Sequence, residues 1–314
     1  MSDSPIDSIS SLHPQRLASR IFRALLVGAV SGIFLSAVPA SPGAAPLRDD
    51  LGRKVLVRET PRRIVSLAPS VTETLFALGA GAQVVGVTDQ CDTPLAARSL
   101  PRIGGMIKPD WESILRLRPD LLVATTAGND ATLIAQADGL GLPLYFMDAR
   151  DLEGLMNSIA RLSELVGRIP TGEALRRGMA RRIAAMRENA APITRRKVLY
   201  LVWIDPPIVP GKNTFLDDAL RLAGLDSITT HAPAGWPTYD LESILRGDPD
   251  WIVAARHNAE GLRQLANRPG WKDLHAVQAN RLVTVSEAIE RPSPGVVDAM
   301  EELRDAIVRS QSPE

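Results

Sequence analysis

A fifteen-residue segment occurs twice in this chain. Asp110-Trp-Glu-Ser-Ile-Leu-Arg-Leu-Arg-Pro-Asp-Leu-Leu-Val-Ala124 returns as Asp240-Leu-Glu-Ser-Ile-Leu-Arg-Gly-Asp-Pro-Asp-Trp-Ile-Val-Ala254, identical at ten of fifteen positions and displaced by a constant 130 residues. Each copy reads as one unit: an acidic helix start, a short amphipathic helix, a turn at proline, and an apolar run suited to a buried strand. A chain that repeats such a unit builds two like lobes, with corresponding loops on one edge and a groove between them.

The remaining pattern agrees with parallel α/β units. Strands are expected over Arg63–Leu67, Gln83–Val87, Asp120–Thr125 and Leu144–Met147, with helices over Ser70–Leu78, Trp111–Leu117 and Ala131–Leu140. A second series runs through strands Lys197–Trp203, Trp251–Ala255 and Leu282–Val285, with helices Phe215–Ala223, Leu241–Leu245 and Pro294–Val308. Between them, Asp151–Asn189 shows no strand signal. Apolar residues there fall at helical spacing (Leu155, Ile159, Leu162, Val166, then Leu175, Met179, Ile183, Met186), with a break at Ile169-Pro-Thr-Gly172. The fold class is therefore α/β, two Rossmann-like lobes bridged by a long helical connector. The expected division is 1–40 leader, 41–150 first lobe, 151–192 connector and 193–314 second lobe.

The leader is read from Arg16, Arg20 and Arg23, an apolar run from Ala24 to Ala37, and Val-Pro-Ala40. That is the order of a secretory signal cleaved near Ala40, and the run is too short for a span of about 20 apolar residues. With no cysteine at the junction that follows it, no lipid anchor is expected, and the mature protein would lie free in the periplasm. Lys+Arg and Asp+Glu both number 36, so no basic field exists to attract nucleic acid or a membrane surface. The single cysteine, Cys91, excludes an internal disulfide and a cysteine-rich metal site.

Catalytic patterns are sparse. The chain has no GxSxG elbow, no phosphate loop and no helix-borne histidine pair. Binding is better supplied, because solutes in doubly wound sheets sit beyond the carboxyl ends of the strands. Those ends offer Ser70, Gln90, Cys91, Asp92, Thr125 and Trp203, to which loops add Trp236, Glu287 and Arg291. Two loop tryptophans and an arginine suit a flat or apolar ligand; Trp111, Trp251 and Trp271 read as packing residues. Cys91 is open between a small buried residue and a rim contact. Glu112 and Glu242, each two residues past a capping aspartate, have two readings: favourable helix-terminus electrostatics, or paired acidic docking points for arginines on a symmetric partner. An exported metal-assisted hydrolase using Asp89, Asp92 and His231, and a scaffold that binds no solute, are the alternatives of other classes.

Arg63-Ile-Val-Ser-Leu-Ala-Pro-Ser-Val-Thr-Glu-Thr-Leu-Phe-Ala-Leu-Gly79, Val85-Gly-Val, Asp92-Thr-Pro94, the two repeats, Asp205-Pro-Pro207 with Gly211-Lys212, Trp236-Pro237 and Glu290-Arg-Pro-Ser-Pro294 together resemble the helical-backbone class of periplasmic binding proteins, most of all its cobalamin-binding members. The resemblance spans essentially the whole chain from Arg63. It implies the class III fold, two α/β lobes joined by a long helix with modest closure. It also implies a monomer without enzymatic activity or resident cofactor or metal, carrying a cobalt corrinoid or an iron chelate to an ABC permease dimer with its ATPase subunits, and meeting the membrane only there. Glu112 and Glu242 match the family's docking glutamates. Gln90, Asp92, Thr93, Met106, Thr125, Trp203, Trp236, Glu287 and Arg291 match its ligand positions. Thr93, Met106 and Thr125 stand where the cobalamin binders have aromatics, so part of a corrin-stacking surface is missing, with Trp203 a substitute. Haem and ferric siderophores remain alternatives, His231 and Tyr239 flanking the Trp236 loop.

Overall fold

The computed structural model describes residues 47–57, 59–188 and 196–310; the leader expected over 1–40 lies outside the described residues. A short antiparallel hairpin, β1 (Leu47–Arg48) and β2 (Lys54–Val55), opens the first lobe. It is followed by β3 (Ile64–Ser66), α1 (Pro69–Ala77), β4 (Val84–Val87), α2 (Trp111–Arg116), β5 (Leu121–Thr125), α3 (Thr132–Gly139) and β6 (Leu144–Met147). The last four strands form a parallel sheet in the order β4-β3-β5-β6.

Two helices follow, α4 (Leu152–Leu165) and α5 (Ile169–Glu188). The turn between them falls at 166–168, earlier than the proline suggested. Pro170 is taken into the first turn of α5, where its missing N–H would have had no helical partner. The second lobe then contains β7 (Arg196–Leu201), β8 (Trp203–Ile204), β9 (Pro207–Ile208), α6 (Phe215–Leu222), β10 (Leu225–Ser227), α7 (Leu241–Gly247), β11 (Trp251–Ala255), α8 (Ala259–Gln264), α9 (His275–Gln278), β12 (Leu282–Val285) and α10 (Val296–Arg309). Its parallel sheet has the order β10-β7-β11-β12. Numbered within each lobe, both sheets read 2-1-3-4, and the repeated segments supply their third strands, β5 and β11.

Both third strands are buried along their full length, as parallel strands covered on two faces must be. One face of each sheet belongs to a core shared with the connector. Leu75 of α1 and Leu78 just past its end, Ile159 and Met179 of α4 and α5, Leu216 of α6 and Met300 of α10 all lie in it. The outer faces have cores of their own. The lobes therefore sit on a common apolar spine, and the described residues form one compact unit.

Polar ties hold the spine at both ends. Asp50, in the β1–β2 turn, accepts from Tyr145 Oη at 2.8 Å, Asp148 N at 3.0 Å, Arg161 Nε at 2.5 Å and Ser158 Oγ. Burial, then the Asp50 charge, pushes the Tyr145 phenol well above its usual range. Arg182 of α5 bridges Asp298 and Glu301 of α10 at 2.5 and 2.6 Å. Among the described residues no helix is long and apolar enough to cross a membrane.

One expectation is corrected, and two further features went unanticipated. The strand anticipated through Trp203 ends at Leu201, because Val202 N donates to Ile208 O and turns the chain into the β8–β9 hairpin. Strand β10 went unanticipated, being three residues long and following Gly224 directly. The β1–β2 hairpin, two residues to a strand, was likewise unanticipated.

Candidate solute-binding cleft

The two sheets present their carboxyl edges to each other, and one contact shows it. Glu73 lies in α1, just past the carboxyl end of β3; Arg291 and Ser293 lie just past the carboxyl end of β12. Arg291 Nη1 donates to Glu73 Oε1 at 2.7 Å and Ser293 Oγ to Glu73 Oε2 at 2.5 Å. The loops beyond those edges therefore lie to either side of this link, where the two-lobed architecture calls for a groove. In a 2-1-3-4 sheet the crevice opens where strand order reverses, between β3 and β5 in one lobe and between β7 and β11 in the other.

Both reversal points are stapled by an asparagine. Asn129 accepts from Thr125 N at 2.9 Å and donates through Nδ2 to Leu67 O and Met106 O, both at 2.9 Å. Asn258 donates through Nδ2 to Val202 O at 2.9 Å. Each ties the loop after the third strand to the end of the first. The second lobe thus carries a pseudo-equivalent of the first lobe's device, beyond the point where sequence identity stops.

On the second lobe the rim is aromatic. Trp203 is 52% exposed and Trp236 51% exposed. Trp203 is held by an Nε1 hydrogen bond to Asp205 O at 2.9 Å. Ile208 pairs with Trp203 on one side and Thr238 on the other, which brings the Trp236 loop alongside the hairpin. That loop is cinched by Gly211 N to Gly235 O at 2.9 Å and Lys212 N to Ala232 O at 3.2 Å. A Cβ on Gly211 would stand 1.9 Å from Pro233 O, so only glycine allows the crossing. Behind the rim, Tyr200 Oη donates to Glu290 Oε1 at 3.0 Å. Burial raises the Glu290 carboxyl above its usual range and the Tyr200 phenol well above its own. Glu287 and Arg291 are half-buried on the same segment.

The first lobe is plainer. Gln90, Asp92 and Thr93 are exposed, and Met106 is half-buried. Arg102 braces their loop through Thr88 O at 2.8 Å and Cys91 O at 3.1 Å and lies 3.7 Å from Asp92. Leu95 and Ile107, on the same loops, are 75% and 69% exposed. Three of the anticipated ligand residues lie below the surface. Cys91 is wholly buried, its Sγ 3.1 Å from both Thr72 Oγ1 and Thr88 Oγ1, so it is a core residue. Thr125 is 3% exposed and its Oγ1 accepts from Ala127 N. Ser70 is 6% exposed in the first turn of α1. Neither offers side-chain surface to a solute here.

Both repeat helices are capped as their aspartates require. Asp110 accepts from Glu112 N at 3.0 Å and Ser113 N at 3.3 Å, and Asp240 from Ser243 N at 2.7 Å. The hydroxyl and amide of Ser113 hold Asp110 below the usual carboxylate range, and the amide and hydroxyl of Ser243 do the same for Asp240. Glu112 and Glu242 stand out to solvent with side chains 80% and 82% exposed, beside Arg116 at 2.7 Å and Arg246 at 3.7 Å. Such exposed pairs are worth only a few tenths of a kcal/mol, so an incoming cation displaces them easily. Asp89, Asp92 and His231 do not assemble: no group of three metal-ligating side chains occurs among the described residues.

Residues 64–288 match a family model described as periplasmic binding protein. The chain belongs to the periplasmic binding protein family. It is similar to an uncharacterized ABC transporter substrate-binding lipoprotein of Bacillus subtilis, 29% identical over 269 residues, 82% of this chain and 84% of the relative. Among solved structures it is similar to the periplasmic vitamin B12-binding protein of Vibrio cholerae (TM-score 0.70, 26% identity, 81% of this chain and 99% of that one). It is equally similar to a periplasmic heme-binding protein of Roseiflexus (TM-score 0.72, 27% identity, 80% and 99%). The two-lobed α/β architecture of this binding protein is thus a family property.

Four of the binding protein's cleft residues were given no role of their own by the sequence reading. Glu73 and Ser293 sat inside recognised motifs without a role, since nothing in a linear pattern says that residues 220 apart meet. Asn129 and Asn258 follow strands, where an asparagine ordinarily reads as a turn.

Proposed function

We propose that this protein is the substrate-binding component of an ABC importer, capturing a corrinoid of the cobalamin type between its lobes and delivering it without chemical change. The carrying observation is the pair of half-exposed tryptophans at the carboxyl edge of the second sheet. Covering about 100 Å² more of each ring contributes ~2.5 kcal/mol per ring, and a flat, largely apolar solute does this while Arg291 supplies polar orientation. The likeness to the Vibrio cholerae protein supports the ligand class. The twin exposed glutamates on matched helix starts support docking to arginines of a two-fold permease dimer with its ATPase subunits. The leader supports export to the periplasm, with 41–150, 151–192 and 193–314 as lobe, connector and lobe.

Calorimetric titration of residues 41–314 with cyanocobalamin, haemin and ferrichrome tests the reading. Saturable one-to-one binding of cyanocobalamin is expected; binding of none of the three removes it. Haem is the second reading, favoured by exposed His231 beside the Trp236 loop and by the Roseiflexus likeness, and the haemin arm decides it.

A further inference from the structure

We propose that Glu73 is the positioning residue of the cleft: its carboxylate clamps Arg291 and Ser293 of the opposite lobe, fixing the width of the groove and the orientation of the Arg291 guanidinium. The role of Arg291 toward a solute rests on the binding reading above, whereas the clamp is a property of the lobes alone.

The Glu73 side chain is only 9% exposed. A carboxylate so far removed from water needs ionic or hydrogen-bonding partners, and removing one leaves a buried charge uncompensated. Both oxygens are satisfied, and both partners come from the other lobe. Those partners are themselves stiff. Arg291 N donates to Ala288 O at 3.2 Å, Ser293 N to Arg291 O at 2.7 Å and Val296 N to Ser293 O at 3.1 Å, and Ser293 is fully buried. Among the described residues, this ion pair and this hydroxyl contact are the only polar links running directly between 47–150 and 196–310; all other ties pass through the connector helices.

Separation of the lobes therefore strands Glu73. Arg291 presents a fork of donors, of which the clamp uses one. Among the described residues its Nε and Nη2 donate to no protein acceptor, and the side chain is one-third exposed. The free edge suits a carboxylate, phosphate or amide oxygen of a solute, and Glu73 sets the direction in which it points.

The test needs no solute. Nitroxides placed through Ala96→Cys and Ala234→Cys, exposed positions on loops of the two lobes, report the distance across the groove by double electron–electron resonance; buried Cys91 stays unlabelled. The parent is expected to give one narrow distance population. Glu73→Gln and Arg291→Leu are expected to add a second, longer population, and Arg291→Lys, which keeps a cation for Glu73, to retain the narrow one. Ser293→Ala provides the same reading in a milder form if the Glu73 variants fail to fold. An unchanged distribution in Glu73→Gln and Ser293→Ala overturns the clamp. Absence of cyanocobalamin binding alongside a widened distribution removes the solute reading and leaves the clamp standing.

Discussion

Replacing Gly172 with alanine sets two effects of opposite sign against each other. Gly172 lies in the first turn of α5, facing α4. A Cβ there would stand 2.3 Å from Ser163 Oγ and 2.4 Å from Ser163 Cβ, with Leu78 Cδ2 at 3.5 Å. Helix propensity alone favours alanine over glycine by at most ~1 kcal/mol. Overpacking a filled site costs about 1–3 kcal/mol. The offending atom includes Ser163 Cβ, which no rotamer moves, so α4 and α5 must shift apart and disturb Leu78 of the first lobe. The net expectation is a loss of about 1–2 kcal/mol, with Tm falling roughly 2–4 °C for each kcal/mol in a domain of this size. Urea and calorimetric unfolding measure it. Ser163→Gly should reopen the space, so the double variant should recover a coupling of about 1–2 kcal/mol. A Gly172→Ala protein as stable as its parent, or more so, refutes the idea that the lobes share a tightly packed spine.

Other outcomes follow from the same geometry. Trp236→Ala and Trp203→Ala should each weaken binding of the cognate solute about 10- to 100-fold, in line with ~1.4 kcal/mol per decade, without lowering Tm. Glu112→Arg combined with Glu242→Arg should abolish uptake by the reconstituted importer while calorimetric affinity stays at the parental value. Burial raises the Glu290 carboxyl, so the native state favours the protonated acid. That advantage is complete below the unfolded glutamate value of about 4.3 and is lost as pH rises through the native one. Glu290→Gln should accordingly match the parent in acid and exceed it in unfolding free energy at neutral pH. Cys91 should resist thiol reagents until global unfolding, its modification rate tracking the unfolded fraction.

How much of this was legible in the sequence differs from residue to residue. The repeat announced its own helix, turn and strand because β5 and β11 are uninterrupted apolar runs and α2 and α7 begin on capping aspartates. Periodicity likewise exposed α4 and α5. The β8–β9 hairpin was hidden because Val202 and Trp203 extend the apolar pattern of β7 past the point where the backbone turns. Cys91 was ambiguous for another reason: a small residue on a loop after a strand looks like rim, and only the threonines at positions 72 and 88 closing over it make it core. The Glu73 clamp joins distant motifs, and local pattern carries no information on such a meeting.

A crystal structure of residues 41–314 saturated with the solute that calorimetry selects tests the central claim most directly. Electron density for one molecule lying across Trp203 and Trp236, reached by Arg291 and bordered by Met106 on the facing lobe, is the predicted result. A solute seated elsewhere, for instance in the groove of about 770 Å³ beneath the first lobe lined by Arg53, Leu56, Arg62 and Leu142, with the space between the carboxyl edges left to solvent, would contradict the account.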